Sequence, residues 1–517
     1  MSLDRYLGSF ITAAPTAPTQ TSAQGVWELE QQASAQVQNA WPLPPNVIQR
    51  SLRFDGAAYL NRTPASAGNR TTWIWAGWVK KSALASSGVV FELFSTNYVS
   101  TNGFEMRFDD NDTLKIADIT ATATSWVIQT AALYRDPSAW YHIVFAFDST
   151  QTTSSDRAII YVNGVRITAF QTTPTYPSLN FNSYVNSSIA HYVGGWAFNG
   201  SPSRFYAGYM TEVNFIDGYP TGVTNGTWAS TNLAGLFGET DAQTGVWVPK
   251  VYTGSYGTNG FRLRFNNNTS TTALGYDTSG NGNNWTPNNF SVTAGSGNDS
   301  MLDVPSLYGT DTGLGGEVRG NYCTWNPINP IYNTTYVTIS NGNLQVAKAS
   351  STIDWRLLAT FAVPSSGQWY WEATITAASF GDGYAFIGIA DTQFGTSGFG
   401  TYFTNGSFYL QTGNKSSSAA STGTSYGSTY TVGDVIGIAY DASAGTITFY
   451  KNGVSQGVAY SSISSATTWF PAFAQTGNPS SSTTNWNFGQ RPFAYTAPSG
   501  DRKSTRLNSS HVSESRM

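Results

Sequence analysis

Residues 432–457 read VGDVIGIAYDASAGTITFYKNGVSQG, a run that constrains strand, turn and register within one short stretch. Val435, Gly437 and Ala439 alternate with Ile436, Ile438 and Tyr440, which is the period-two pattern of a β-strand. Beyond the Ala442–Gly445 break, Ile447 and Phe449 alternate with Thr446, Thr448 and Tyr450. The second strand then meets Asn452-Gly453, the dipeptide that best tolerates the positive φ angles of a two-residue hairpin turn. The stretch predicts a three-stranded antiparallel meander.

The device occurs twice. Trp140 to Ile167, WYHIVFAFDSTQTTSSDRAIIYVNGVRI, runs an apolar strand into an Asp-led polar loop, a second apolar strand and then Asn163-Gly164. Two copies in a chain of 517 residues point to two related β-sandwiches. Trp73, Trp75 and Val79 alternate with Ile74, Ala76 and Trp78, so both faces of this strand are apolar and it is central to its sandwich. Asp109-Asp110-Asn111-Asp112 lies between two alternating runs and reads as a hairpin turn.

Charged residues make up 11% of the chain, well below the roughly 25% of an average domain, and Gly, Ser, Thr and Asn fill the polar positions. A net charge of −4 without a Lys/Arg cluster excludes the electrostatic footprint of duplex nucleic acid. One cysteine, Cys323, excludes an internal disulfide framework and a thiolate zinc site, and reads as an apolar filler. No apolar run approaches the ~18 residues of a membrane helix. Leu7–Ala14 is too short and too polar for a signal-peptide core, so neither membrane insertion nor signal-directed export is expected.

Thr12–Gln24 is a Pro, Thr and Gln-rich lead-in, and Val26–Ala40 spaces its apolar residues by three and four, which predicts one amphipathic helix ending before Pro42. Such a helix is marginal alone and must pack on the adjacent sandwich, on a neighbouring protein or on a second copy of the chain. Met301–Asn333, rich in Gly and Pro, reads as a connector, and Lys415–Tyr430, KSSSAASTGTSYGSTY, as a mobile loop. The last stretch, DRKSTRLNSSHVSESRM from Asp501, changes character abruptly. It resembles a translated sequencing adaptor, so the natural C-terminus is expected to differ.

The motifs carry two resemblances. GQWYWEATI at Gly367–Ile375, FIGIAD at Phe386–Asp391, the Val432–Gly457 run and WNFGQRPF at Trp486–Phe493 resemble a SPRY domain. LRFDG, WIWAGWVK, WYHIVFAFD, YVNGV and GYMTEVNFIDGY within Arg53–Asp217 resemble a laminin G-like domain of the concanavalin A-like superfamily, in which a sequence like Asp277–Asn283 stands near the domain edge. The tandem is similar to tail and host-recognition proteins of bacteriophages. These likenesses imply an all-β chain of two antiparallel jelly-roll sandwiches: 1–49 lead-in and helix, 50–300 laminin G-like, 301–335 connector, 336–500 SPRY, 501–517 adaptor-like. They imply a virion tail protein, exposed to the exterior, with a host-surface glycan or protein and other virion proteins as partners, or else a purely structural virion decoration that binds nothing of the host, with a glycan hydrolase as a remoter reading.

Catalysis is not expected. The glucanase branch of the superfamily places its acid and nucleophile as Glu-x-Asp-x-Glu on one strand, and that spacing is absent. Glu105, Glu212 and Glu372 stand singly in strand-like runs and read as solvent-facing, while His142 in its strand reads as packed. No Gly-rich phosphate loop or HExxH occurs. Recognition is expected in loops where aromatics neighbour Gly, Ser or Asn: Trp196 and Phe198 in the first domain, and Phe380, Asp382, Tyr384 and Trp469 in the second. Asp277, Ser279, Asn281 and Asn283 stand at alternate positions with Gly282 at the sixth, as in a calcium loop, but Asn288 replaces the bidentate Glu. Calcium and a plain Gly/Asn turn are both open at this stage.

Overall fold

The computed structural model describes residues 47–498 except 101, 121–122, 243, 309–317, 329–334, 352–354, 380–383, 393–405, 418–422 and 477–479. The predicted Val26–Ala40 helix and the tail after Gly500 lie outside the described residues. Within them the chain is all-β, with only short 3-10 turns and no α-helix. All strand pairs of its four large sheets are antiparallel.

The first sandwich stacks two sheets. One is ordered Val165–Arg166, Ala158–Val162, Trp140–Asp148, Thr72–Lys81, Ala207–Asp217, Ser51–Asp55 and Ser300–Met301, with Phe261–Leu263 also pairing Ala207–Asp217. The other is ordered Thr286–Asn288, Tyr59–Arg62, His191–Val193, Phe91–Thr96, Gly103–Phe108, Thr113–Thr120 and Ala123–Leu133. The alternation dictates the core: Trp73 and Trp75 point between the sheets against Phe94, Phe104 and Trp126, all buried. Trp73 stacks on Phe147 at 5.1 Å and meets Phe104 edge-on at 5.4 Å, the offset and T-shaped geometries that ring quadrupoles favour.

The opposite face of Thr72–Lys81 is buried too, as its apolar pattern predicts. The excursion from Gly222 to Lys250 folds back over it, setting Trp228, Leu233 and Phe237 on Ile74, Ala76, Val144 and Ile216. The second sandwich pairs a sheet ordered Val337–Ser340, Gln345–Ser351, Ser480–Asn487, Gln368–Ser379, Val435–Asp441, Thr446–Lys451 and Val454–Tyr460 with one ordered Trp355–Leu358, Phe470–Gln475, Ala385–Ala390, Gly406–Leu410, Asn414–Ser416 and Thr424–Ser425. The expected meander is present, and both Asn-Gly turns take positive φ: 50° and 78° at Asn452-Gly453, 48° and 81° at Asn163-Gly164.

Between the sandwiches lies a buried polar joint. Lys80, with no exposed side-chain surface, reaches Asp303 at 2.9 Å, Asn321 at 2.7 Å and the Tyr322 carbonyl at 3.0 Å. Trp140 Nε1 donates to the other oxygen of Asp303, Arg53 forks onto Asp299, and Tyr209 donates to the Gly342 carbonyl at 2.6 Å. The described part of the connector is thus structural: Cys323 and Trp325 are fully buried in a cluster continuous with the second core.

Candidate functional site

After Val193 the chain crosses the outer face of the second sheet. Gly194 donates to Leu93 O at 3.0 Å and Gly195 O accepts from Ser95 Oγ at 2.8 Å, so the segment lies flat on the sheet. A Cβ at Gly194 would run into the Phe54 ring, which is why glycine stands there. Trp196–Phe198 then pairs with Ser201–Ser203 around Asn199-Gly200, whose φ angles are 47° and 82°. This is a third Asn-Gly hairpin, and its dipeptide was a visible signal for the turn.

The hairpin builds an aromatic platform. Arg204 lays its guanidinium 4.3 Å from the Trp196 ring centroid, Tyr98 meets the indole edge-on at 4.9 Å, and Phe198 stacks beside it at 6.1 Å. Trp196 is half-buried and its Nε1 has no hydrogen-bond partner among the described residues, whereas Phe198 is 40% exposed. The platform continues through Phe205 stacked on Tyr59 at 5.7 Å and Tyr59 against Tyr192 at 5.9 Å. Flat apolar rings beside a guanidinium suit a sugar face or a planar side chain.

Beneath it lies a charged layer that sequence spacing did not reveal, because Glu92, Glu105 and Arg204 come from separate segments. Arg204 and Arg107 both bind Glu105 Oε2, at 3.2 and 2.5 Å. Glu92 is fully buried; burial, then the neighbouring Glu105, pushes its carboxyl well above the usual carboxylate range. Glu105 is therefore not solvent-facing as expected. Glu212 and Glu372 are also buried: Arg262 and Arg264 hold Glu212, while Glu372 accepts the Tyr370 hydroxyl and the Ala494 and Tyr495 amides. In each case partners distant in sequence offset part of the desolvation of the charge, and at Glu372 burial still pushes the carboxyl up. His142 is packed as expected, stacked 4.8 Å from Trp78.

In the second sandwich, Phe380 and Asp382 lie outside the described residues. Tyr384 is half-buried with its ring edge-on to Phe386 at 6.3 Å, and Trp469 is half-buried with Nε1 donating to Ser464 O at 2.9 Å. Neither meets Trp196, which belongs to the other sandwich. The tract expected as a mobile loop is pinned at both ends: Asn414–Ser416 pairs with Thr424–Ser425, and Tyr430 is buried with its hydroxyl donating to Ala385 O and Tyr409 O.

The calcium-type loop does not fit a cation. Asp277 Oδ1 accepts from the Arg262 and Ser279 amides, and Oδ2 from Ser279 Oγ and the Asn283 amide. Asn281 and Asn283 turn their NH2 groups onto carbonyls of Gly257, Thr258 and Gly260, and Arg62 donates to Asn283 Oδ1. With its carboxylate oxygens engaged and a guanidinium in place, the loop is a self-satisfied turn. Among the described residues no three His, Cys, Asp or Glu side chains form a metal-holding group.

Two antiparallel sandwiches, each with ring-bearing loops, define a tandem of concanavalin A-like and SPRY-type β folds. Residues 54–221 match the family model of the concanavalin A-like lectin/glucanases superfamily, and residues 368–491 match that of the SPRY domain, so the chain carries one domain of each. Among solved structures, it is similar to the SPRY domain of human HERC1 at 23% identity, covering 29% of this chain and 91% of that one, with a TM-score of 0.25. The heptameric SAP-like pentraxin of Limulus polyphemus is 13% identical, with 35% and 81% covered and a TM-score of 0.26. A candidate carbohydrate-binding protein of Bacteroides ovatus is 16% identical, with 48% and 60% covered and a TM-score of 0.27.

Proposed function

We propose that the chain is a non-catalytic recognition protein that binds a cell-surface glycan or protein through the Trp196–Ser203 hairpin of its concanavalin A-like domain. The observation that carries this reading is the platform itself: Phe198, 40% exposed, extends an indole clamped between Tyr98 and Arg204. A ring held by its own neighbours costs little entropy to present, which favours binding. The setting in this proposal is a virion tail in contact with host cells and other virion proteins, which rests on the resemblance of the sequence motifs alone. Detection of the chain in purified particles by mass spectrometry checks it.

Phe198→Ala is the direct test of recognition, because the side chain is largely outside the core. Adhesion to cells or to a glycan array should weaken by about tenfold or more, as for truncation of an aromatic hot spot, while melting stays unchanged. Adhesion equal to the parent's would refute the hairpin as the site. Sugar release from a polysaccharide panel by the intact protein would refute the non-catalytic reading.

A further inference from the structure

A second site lies on the opposite side of the first sandwich, on the outer face of the sheet containing Thr72–Lys81. Here Trp78, His142, Glu212, Lys250 and Arg262 line a shallow open cleft with room for about one water-sized group. The strand beneath it is deformed. Its pairing with Thr72–Lys81 slips between Thr211 and Asn214, and Glu212 sits at φ 49°, a conformation that L-residues avoid. Such bulges re-aim side chains, and strained residues cluster where structure serves binding.

The hydrogen-bonding capacity of the lining is one-sided. The side-chain acceptors are each engaged: Glu212 takes Arg262 Nε at 2.8 Å and Arg264 Nε at 3.2 Å, and Asn214 Oδ1 takes the Tyr256 hydroxyl at 2.9 Å. Asn214 Nδ2 is spent as well, donating to Glu212 O at 2.7 Å. Donors remain. Arg262 binds Glu212 through Nε alone, leaving its terminal amino groups. His142 Nδ1 accepts the Trp247 indole N–H at 3.0 Å, so the ring proton sits on Nε2. Burial keeps this imidazole neutral, with its pKa down to about 3, so it donates as a fixed dipole. Lys250 is held loosely, 3.3 Å from Gly235 O and 3.8 Å from Glu239, in a half-exposed position. Three cations, Lys250, Arg262 and Arg264, face two carboxylates, Glu212 and Glu239.

We infer that this cleft binds a small oxyanion, a carboxylate or sulfate group, through Arg262, Lys250 and His142 Nε2–H. An oxyanion offers only acceptors, which matches the side-chain donors that Arg262, Lys250 and His142 leave open, and it takes up the surplus positive charge.

Calorimetric titration of the full chain with sodium sulfate, D-glucuronate and D-glucose tests the inference. Sulfate or glucuronate should bind and glucose should not. Binding of glucuronate alone would make the source an acidic sugar, and binding of both a general oxyanion. Lys250→Gln, at a side chain 44% exposed, should weaken binding about tenfold with unchanged melting. Glu212→Gln should tighten it, because the competing carboxylate is neutralised while the shape is kept. A merely structural role for Glu212 would move affinity the other way. Absence of heat with both anions, glucose binding as well as they do, or Lys250→Gln binding like the parent would each overturn the assignment.

Discussion

Burial of Glu92 beneath the Arg204 segment carries a pH signature. A carboxyl whose pKa is raised on folding keeps its proton in the native state after the unfolded chain has lost it, so stability falls as pH rises above the unfolded value of about 4.5. Glu92→Gln keeps the acceptor for the Met106 amide and removes the titration. Its unfolding free energy should exceed the parent's by a margin that widens from pH 5 to pH 8, by at most about 1.4 kcal/mol per pH unit, as read by denaturant titration at each pH. A constant margin would contradict the burial argument. His142 and His191 act oppositely: buried neutral at about 3 and 4, they remove stability as pH falls below about 6.5. At Gly453, φ is 78° and an added Cβ would lie 2.7 Å from the Tyr495 ring. Gly453→Val should therefore cost about 1–2 kcal/mol in chemical denaturation, and an unchanged midpoint would show that the turn relaxes freely.

At the scale of elements, the Thr72–Lys81 strand shows how a pattern constrains its surroundings without naming them. Its double-sided apolarity required cover on both faces, and the second face is covered by Gly222–Lys250, a stretch whose own residues show no strand period. Trp228 anchors that cover, fully buried with Nε1 donating to Asp156 O at 3.1 Å. Trp228→Ala should destabilise the chain by about 3–5 kcal/mol, the usual cost of emptying a buried tryptophan site. Calorimetry reads it, and a loss below 1 kcal/mol would mean that the excursion is not part of the cooperative unit.

Across the whole molecule, the two sandwiches are coupled through the joint at Lys80 and Asp303. Both side chains are fully buried, so removing one leaves an uncompensated charge. Lys80→Met should cost about 3–5 kcal/mol, whereas joint replacement of Lys80 and Asp303 by apolar residues should recover part of the loss. Because one hydrophobic cluster runs from Trp78 and Tyr209 into the second core, the parent should melt in a single calorimetric transition. Two resolved transitions would show that the sandwiches unfold independently.

Periodicity and turn chemistry are local, and they alone determined the all-β class, both meanders, the positive-φ Asn-Gly turns and the aromatic core of the first sandwich. The hairpin bearing Trp196 and Phe198 stands where the sequence reading expected a loop, although its Asn199-Gly200 dipeptide carries the same turn signal. What only the tertiary structure decided depends on residues brought together from far apart. Arg204 reaches Glu105 across 99 positions, Arg262 reaches Glu212 across 50, and Lys80 reaches Asp303 across 223. A lone Glu in an alternating run has the same local appearance whether it meets water or a guanidinium. Its burial follows from which strand edge or excursion closes over it, and no local period encodes that closure.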